Sequence, residues 1–326
     1  MSITRILVAA LVASVAACAS TAWSQASEKV LVRFTWKLKG EYAPLFYAIE
    51  KGYYAAEGLE VEFSEGSGTL TVLQVVANGT ENIGYGPAVA AAQAISRGLP
   101  LKVVALYQTQ TPVGLISFPD VPLRNPKDLE GRKIAITTGE TFSELLEPFL
   151  TTNRIDLAKV ERIKMENSVR NTQFVSRKVD VMSVFISNEL PMMEKTIGVR
   201  FNLLRVSDYG LNLPGASFFV NNGYAAAKPE TIRRLLRATA RGYAEAGRNR
   251  KEAAEIMNRR LTLKAQPDVM AAQVNATLDS TNVIPGRPVG WQDEAYWKAS
   301  LELLKSADAI KQIRELPAYY TNEFLK

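Results

Sequence analysis

The hydrophobic positions of this chain switch period repeatedly, from two residues to about 3.6 and back. Val30–Trp36 alternates and is rich in β-branched and aromatic residues, which predicts a strand. Tyr42–Tyr54 puts Leu45, Phe46, Ile49 and Tyr53 on one stripe, which predicts a helix with Gly52 inside it and Gly58 ending it. Leu59–Phe63 predicts a second strand, and Leu70–Asn78 a helix closed by Gly79. Ile83–Tyr85 reads as a short strand, Pro87–Ser96 as an alanine-rich helix closed by Gly98, and Leu101–Tyr107 as another strand. This β-α-β alternation with short connections predicts a parallel or mostly parallel sheet covered by helices.

At Phe118–Pro126 the alternation is interrupted by "FPDVPLRNP", with three prolines. It then starts afresh. Strands are predicted at Lys133–Thr137, Val160–Met165, Val181–Phe185, Phe201–Arg205 and Ala216–Val220. Helices are predicted at Thr141–Thr152, Asn171–Arg177 and Glu189–Thr196. Beyond Tyr224 the chain reads as helical, over roughly 229–247, 250–260, 268–279 and 292–306. Two α/β units followed by a helical tail predict a two-lobed α/β protein, with hinge crossovers near 113–118 and 216–221. The expected division is lobe 1 over 27–117, lobe 2 over 118–220, and a return to lobe 1 over 221–326, whose helices pack on it. Ligands in open α/β sheets bind outside the carboxyl ends of the strands, so both lobes should contribute to one cleft.

The first 26 residues change the picture of where the protein works. Arg5 precedes an apolar run, Ile6–Ala17, and Ser24-Gln25-Ala26 supplies small residues for cleavage. This is the pattern of a secretory leader and is short for a membrane span. Val15-Ala16-Ala17-Cys18 also resembles a lipobox, which makes Cys18 the candidate for lipid attachment. Cys18 is the only cysteine, so residues 27–326 can form no internal disulfide. The full chain carries +6 and the leader only Arg5, leaving +5. The densest basic run, Arg233 to Arg260, alternates with alanines and leucines as a solvated helix face does, so no nucleic-acid partner is expected.

Candidate chemistry narrows by what is missing. The chain has no histidine, which removes the usual general base and the commonest zinc ligand. Neither a phosphate-binding G-x-x-x-x-G-K-[ST] nor a G-x-S-x-G nucleophile elbow occurs. A binding protein without metal or cofactor is expected, not an enzyme. The predicted strand ends carry aromatic or polar residues that could orient a small ligand. They are Trp36, Lys39, Glu41 and Tyr42; Tyr85; Tyr107; Thr138 and Thr141; Asn188 and Glu189; and Tyr209. For each the plainer role is packing, helix capping or a solvated charge.

The stretches "APLFYAIEKGYYAAEGLEVEF", "ENIGYGPAVAAAQAISRGLPLKVVALY" and "DLEGRKIAI" resemble the solute-binding proteins of bacterial ABC importers. The likeness is to the type II periplasmic-binding fold, in the branch of nitrate, sulfonate, thiamine-pyrimidine and riboflavin binders. It implies two lobes, a periplasmic location, a monomer, and an ABC permease with its ATPase as partners. "SNELP", with Asn188 and Glu189, and "DYGLNLPGASF", with Tyr209, resemble segments of the pyrimidine binders. They imply a planar nitrogen heterocycle stacked on Trp36, Tyr42 and Tyr107, with Tyr85 in support, and hydrogen-bonded by Asn188 and Glu189. Those binders carry Trp-x-Pro-Asn-x-x-His after the first strand. Here the stretch is Trp36-Lys37-Leu38-Lys39-Gly40-Glu41-Tyr42, so only the tryptophan is kept. The alternatives are a small organic anion held by Lys39, Thr138 and Thr141, or an enzyme acting on a pyrimidine-like substrate.

Overall fold

The computed structural model describes residues 27–137 and 141–326. The leader and Cys18 lie outside the described residues. Strand β1 (Glu28–Phe34) pairs in parallel with β2 (Leu59–Ser64) and β3 (Ile83–Pro87). Strand β10 (Ala216–Asn221) lies between β3 and β4 (Leu101–Leu106), antiparallel to both, in a sheet of order β2-β1-β3-β10-β4. Phe218, Phe219 and Val220 are all buried, because this central strand is covered on both faces.

A second group of strands forms the other lobe. Strand β5 (Val113–Ser117) pairs antiparallel with β8 (Met182–Phe185) and β9 (Asn202–Arg205). Strands β6 (Lys133–Ile136) and β7 (Glu161–Lys164) pair in parallel. The Ala135 amide donates to the Val181 carbonyl at 3.0 Å, joining the two pieces.

Sheet membership does not follow the expected crossovers. Residues 113–117 are a strand of the second sheet, and 216–221 a strand of the first. The chain instead passes between the sheets at 107–112 and 210–215. These connectors run side by side: Gly215 N donates to Gln108 O at 2.9 Å, and Leu213 N to Thr111 Oγ1 at 2.6 Å. A buried strand and the extended segment entering it have the same apolar texture, so periodicity does not separate them.

Helices α1 (Ala43–Glu50) and α2 (Tyr53–Ala56) replace the single expected helix. Gly52, at φ +69°, breaks it in a conformation that favours glycine. Helices α3 (Thr69–Ala77) and α4 (Ala88–Ser96) follow in the first lobe; α5 (Thr141–Thr152), α6 (Asn167–Val175) and α7 (Glu189–Ile197) belong to the second. The tail supplies α8 (Asn222–Ala227), α9 (Pro229–Arg248), α10 (Arg250–Arg260), α11 (Pro267–Asp279), α12 (Glu294–Ser306) and α13 (Leu316–Tyr319).

The tail packs mainly on the first lobe. Helix α9 buries Ile232, Leu235, Leu236 and Tyr243 in one core with β1 and α1. Its Gly242 lets α1 approach closely: a Cβ there would stand 2.6 Å from the Pro44 carbonyl oxygen. The outer face carries Arg234 and Arg237, paired with Glu28 and Glu57, so the basic run is a solvated, ion-paired face. Trp297 of α12 is buried against Tyr320 and Tyr319. No helix among the described residues is long and apolar enough to cross a membrane.

Candidate functional site

The carboxyl ends of β1 and β3 and the segment after β4 converge on a cavity of about 460 Å³ between the sheets. That size is ordinary for a small-molecule site, where about 300–1,000 Å³ is usual. From the first lobe come Thr35, Trp36, Lys39, Glu41, Tyr42 and Tyr85. From the second come Thr137, Arg170, Phe185, Asn188 and Glu189, and the connectors add Gln108 and Thr111. A wide groove between α10 and α11 is larger, about 1040 Å³, but it lies away from the strand ends.

The sequence accounts for the first wall. Phe34 ends β1 fully buried and stacks between Phe63 and Tyr42, at centroid distances of 5.0 and 4.0 Å. This aromatic stack fixes the turn that follows. Trp36, two residues on, is released from the core and is 51% exposed. Phe185 ends β8 in the same way and is 37% exposed. One exposed aromatic residue therefore borders the cavity from each lobe.

Two ion pairs supply the charge. Lys39 Nζ stands 3.7 Å from Glu41 Oε1 on the first wall. On the second, Arg170 Nη2 donates to Glu189 Oε1 at 2.8 Å, and the Phe185 amide donates to Glu189 Oε2 at 3.1 Å. The cavity's charged lining is thus two cations and two carboxylates among the described residues. Burial, then the Glu41 charge, pushes the Tyr42 hydroxyl well above the usual phenol range.

Seven of the eleven expected site residues line the cavity: Trp36, Lys39, Glu41, Tyr42, Tyr85, Asn188 and Glu189. Tyr42 and Tyr85 do so mainly as core residues, for both are almost wholly buried. Tyr85 shares a hydrogen bond with the Tyr243 hydroxyl. Tyr107 does not reach the cavity. It is 0% exposed and stacks on Tyr243 at 4.4 Å, behind the wall. Tyr209 also lies elsewhere: its hydroxyl donates to the Arg124 carbonyl at 3.2 Å, on the second lobe. Thr138 falls outside the described residues, as does the side chain of Thr141.

Arg170, Phe185 and Thr137 also line the cavity and were not among those eleven. The helix carrying Arg170 starts at Asn167, one turn before the predicted start at Asn171, so Arg170 looked like loop. Phe185 ends its predicted strand, in the same strand-end stretch as Asn188 and Glu189, and its place at the carboxyl end of β8 is the signal that marks it.

Residues 39–253 match the family described as NMT1/THI5 like. The chain belongs to this family. Relatives of this chain include the riboflavin-binding protein RibY of Chloroflexus aurantiacus, 26% identical over 87% of this chain and 82% of the relative. A 4-amino-5-hydroxymethyl-2-methylpyrimidine phosphate synthase of Legionella pneumophila is 22% identical over 72% of this chain and 75% of its own length. The formylaminopyrimidine-binding protein of Halalkalibacterium halodurans is 24% identical over 88% of both chains. Among solved structures, the periplasmic aliphatic sulphonate binding protein SsuA of Escherichia coli superposes with a TM-score of 0.70 at 14% identity. It covers 89% of this chain and 91% of SsuA. That likeness establishes for this NMT1/THI5-like chain the periplasmic-binding-protein fold expected from its sequence.

Proposed function

We propose that the chain is the exported substrate-binding component of an ABC importer. It captures a small planar nitrogen heterocycle between its lobes and closes on it. The observation that carries this reading is the pair of exposed aromatic residues, Trp36 and Phe185, one on each lobe and both bordering one cavity. A flat ring can stack on both only when the lobes are together, so binding energy favours the closed state. The connectors at 107–112 and 210–215 are then the hinge, and residues 27–106, 113–209 and 216–326 the lobe segments. Names of relatives that bind riboflavin or formylaminopyrimidine support the ligand class.

Charge distinguishes this ligand from a small organic anion. Both cavity cations already face carboxylates, so a neutral polar ring meets less electrostatic opposition than an anion would. A synthase among the relatives keeps an enzymatic reading in view. Against it stands the absence of histidine from the chain and of cysteine from residues 27–326. The test is a melting-temperature titration of residues 27–326 with flavins and aminopyrimidines beside alkanesulfonates and benzoates, with mass spectrometry of the ligand afterwards. Shifts with heterocycles recovered unchanged support the proposal. Shifts confined to the anions, or a turnover product, sink it.

A further inference from the structure

Arg170 sits on the second wall of the cavity, and its side chain is nine-tenths or more buried at 5% exposure. A guanidinium carries five N–H donors and accepts nothing. Among the described residues its hydrogen bond is the one from Nη2 to Glu189, and Nε is buried with no partner at all. Leaving donors of a buried cation unsatisfied is costly, more so than for a neutral group. Thr137 repeats the pattern on the same wall: Oγ1 is buried and has no partner among the described residues, while its amide is held by Ser143 Oγ at 2.9 Å. By contrast, the polar groups that the connectors turn toward the cavity are satisfied within the fold. Gln108 bonds Ser280 and the Ala216 amide, and Thr111 Oγ1 accepts from Leu213. Among the described residues lining the cavity, the buried side-chain atoms without a partner are therefore on the second wall.

Glu189 takes a different part in this arrangement. One carboxylate oxygen accepts from Arg170 and the other from the Phe185 amide. It fixes a planar fork at one end and ties it to the strand that presents Phe185. The geometry points to Arg170 as the specificity-determining residue of the cavity. Its spare guanidinium donors read a carbonyl edge on a planar heterocycle, as in a pyrimidinedione ring, and Glu189 acts as its positioning residue. This rests on the heterocycle reading above and narrows it. The ring class is one whose edge accepts hydrogen bonds without carrying full negative charge. A sulfonate on the same donors would instead set its full negative charge beside the Glu189 carboxylate.

Two tricyclic probes separate the contributions. Lumiflavin has a pyrimidinedione edge; phenazine is equally flat but has no carbonyl. Both are titrated by calorimetry into wild type, Arg170→Gln, Arg170→Lys and Trp36→Ala, with ethanesulfonate as a third probe. Wild type is expected to prefer lumiflavin. Arg170→Gln should cost lumiflavin about 10- to 100-fold, the scale of a charge-assisted hydrogen bond, and leave phenazine unchanged. Trp36→Ala should weaken both. Arg170→Lys keeps the charge opposite Glu189 but loses the fork, so it should fail to restore lumiflavin affinity. Restoration by lysine would make Arg170 a structural counter-charge and overturn the assignment. So would equal losses for both tricycles in Arg170→Gln, or no loss in either, while the heterocycle reading stands. If wild type binds ethanesulfonate and neither tricycle, the heterocycle reading itself fails. Should Arg170→Gln not fold, the lysine variant and the wild-type preference between the tricycles decide.

Discussion

Gln273 of α11 bridges the two lobes by donating from Nε2 to the backbone carbonyl of Asn188 at 3.2 Å. Its Oε1 accepts from the Gly40 amide at 3.1 Å. One buried amide thus ties the turn after β1 to the start of α7, beside the cavity that both help to line. The nearby Lys195–Asp268 pair also crosses between the lobes, at 2.6 Å, but both partners are solvated and such pairs contribute little. Gln273→Ala should therefore loosen closure. It leaves the Gly40 amide without its partner, at a cost of about 1–3 kcal/mol. We expect a larger radius of gyration by small-angle scattering and a faster ligand off-rate. Gly40→Ala should act the same way, because a Cβ there would stand 2.4 Å from Gln273 Cβ. An unchanged radius and off-rate in both variants would show that the bridge does not hold the lobes.

Trp36 and Tyr107 were equal candidates by sequence, and they should now separate. Trp36→Ala should weaken a stacked heterocycle by about 1–3 kcal/mol, roughly 5- to 150-fold, with little change in melting temperature. Phe185→Ala should do the same from the other lobe. Tyr107→Phe should leave binding alone. Its hydroxyl is buried behind the wall and makes no contact with the cavity. Stability should stay level or rise slightly. Calorimetry and thermal unfolding of the three variants check this, and a binding loss in Tyr107→Phe would return it to the site.

The same contrast shows what could be read along the chain. The lobes, the strand ends and the tail on the first lobe follow from hydrophobic period and from glycine and proline placement, which are local. That Trp36, Lys39, Glu41 and Glu189 line the cavity was legible because the carboxyl end of a strand has a known relation to a cleft. What failed depended on distance. Whether Tyr107 points into the cavity or against Tyr243 is decided 136 positions further along the chain. Arg170 gains meaning only when α6 meets α7. The connectors fall at 107–112 and 210–215 rather than near 113–118 and 216–221 because β5 and β10 are sheet strands by virtue of partners remote in sequence.

Alkaline pH should destabilise the fold through its buried tyrosines. Burial first, then neighbouring tyrosine and glutamate charges, pushes the hydroxyls of Tyr42, Tyr85, Tyr107 and Tyr243 well above their ordinary value of about 10. Above that pH the unfolded chain releases protons that the folded protein retains. Stability is full below about pH 10 and declines as pH rises toward the folded values, by up to about 1.4 kcal/mol per pH unit for each tyrosine. Tyrosinate absorbance near 295 nm should rise in two stages, exposed tyrosines first and the buried ones, these four among them, with unfolding. A single titration near pH 10, with melting temperature unmoved, would contradict this.

Export predicts a defined amino terminus. The intact mass of protein recovered from outside the inner membrane should begin at Ser27, and Cys18→Ala should not change it. A mass beginning at a lipid-modified Cys18 would replace cleavage after Ala26 with a tether.

In the proposed complex, one planar heterocycle is gripped by an aromatic residue from each lobe. Isothermal titration of riboflavin into residues 27–326 tests it most directly, in wild type and in the Trp36→Ala, Phe185→Ala double variant. Saturable one-to-one binding in wild type, lost in a double variant that still melts at the wild-type temperature, is the predicted result. Equal riboflavin affinity in both proteins, or heat only when an alkanesulfonate replaces riboflavin, would contradict it.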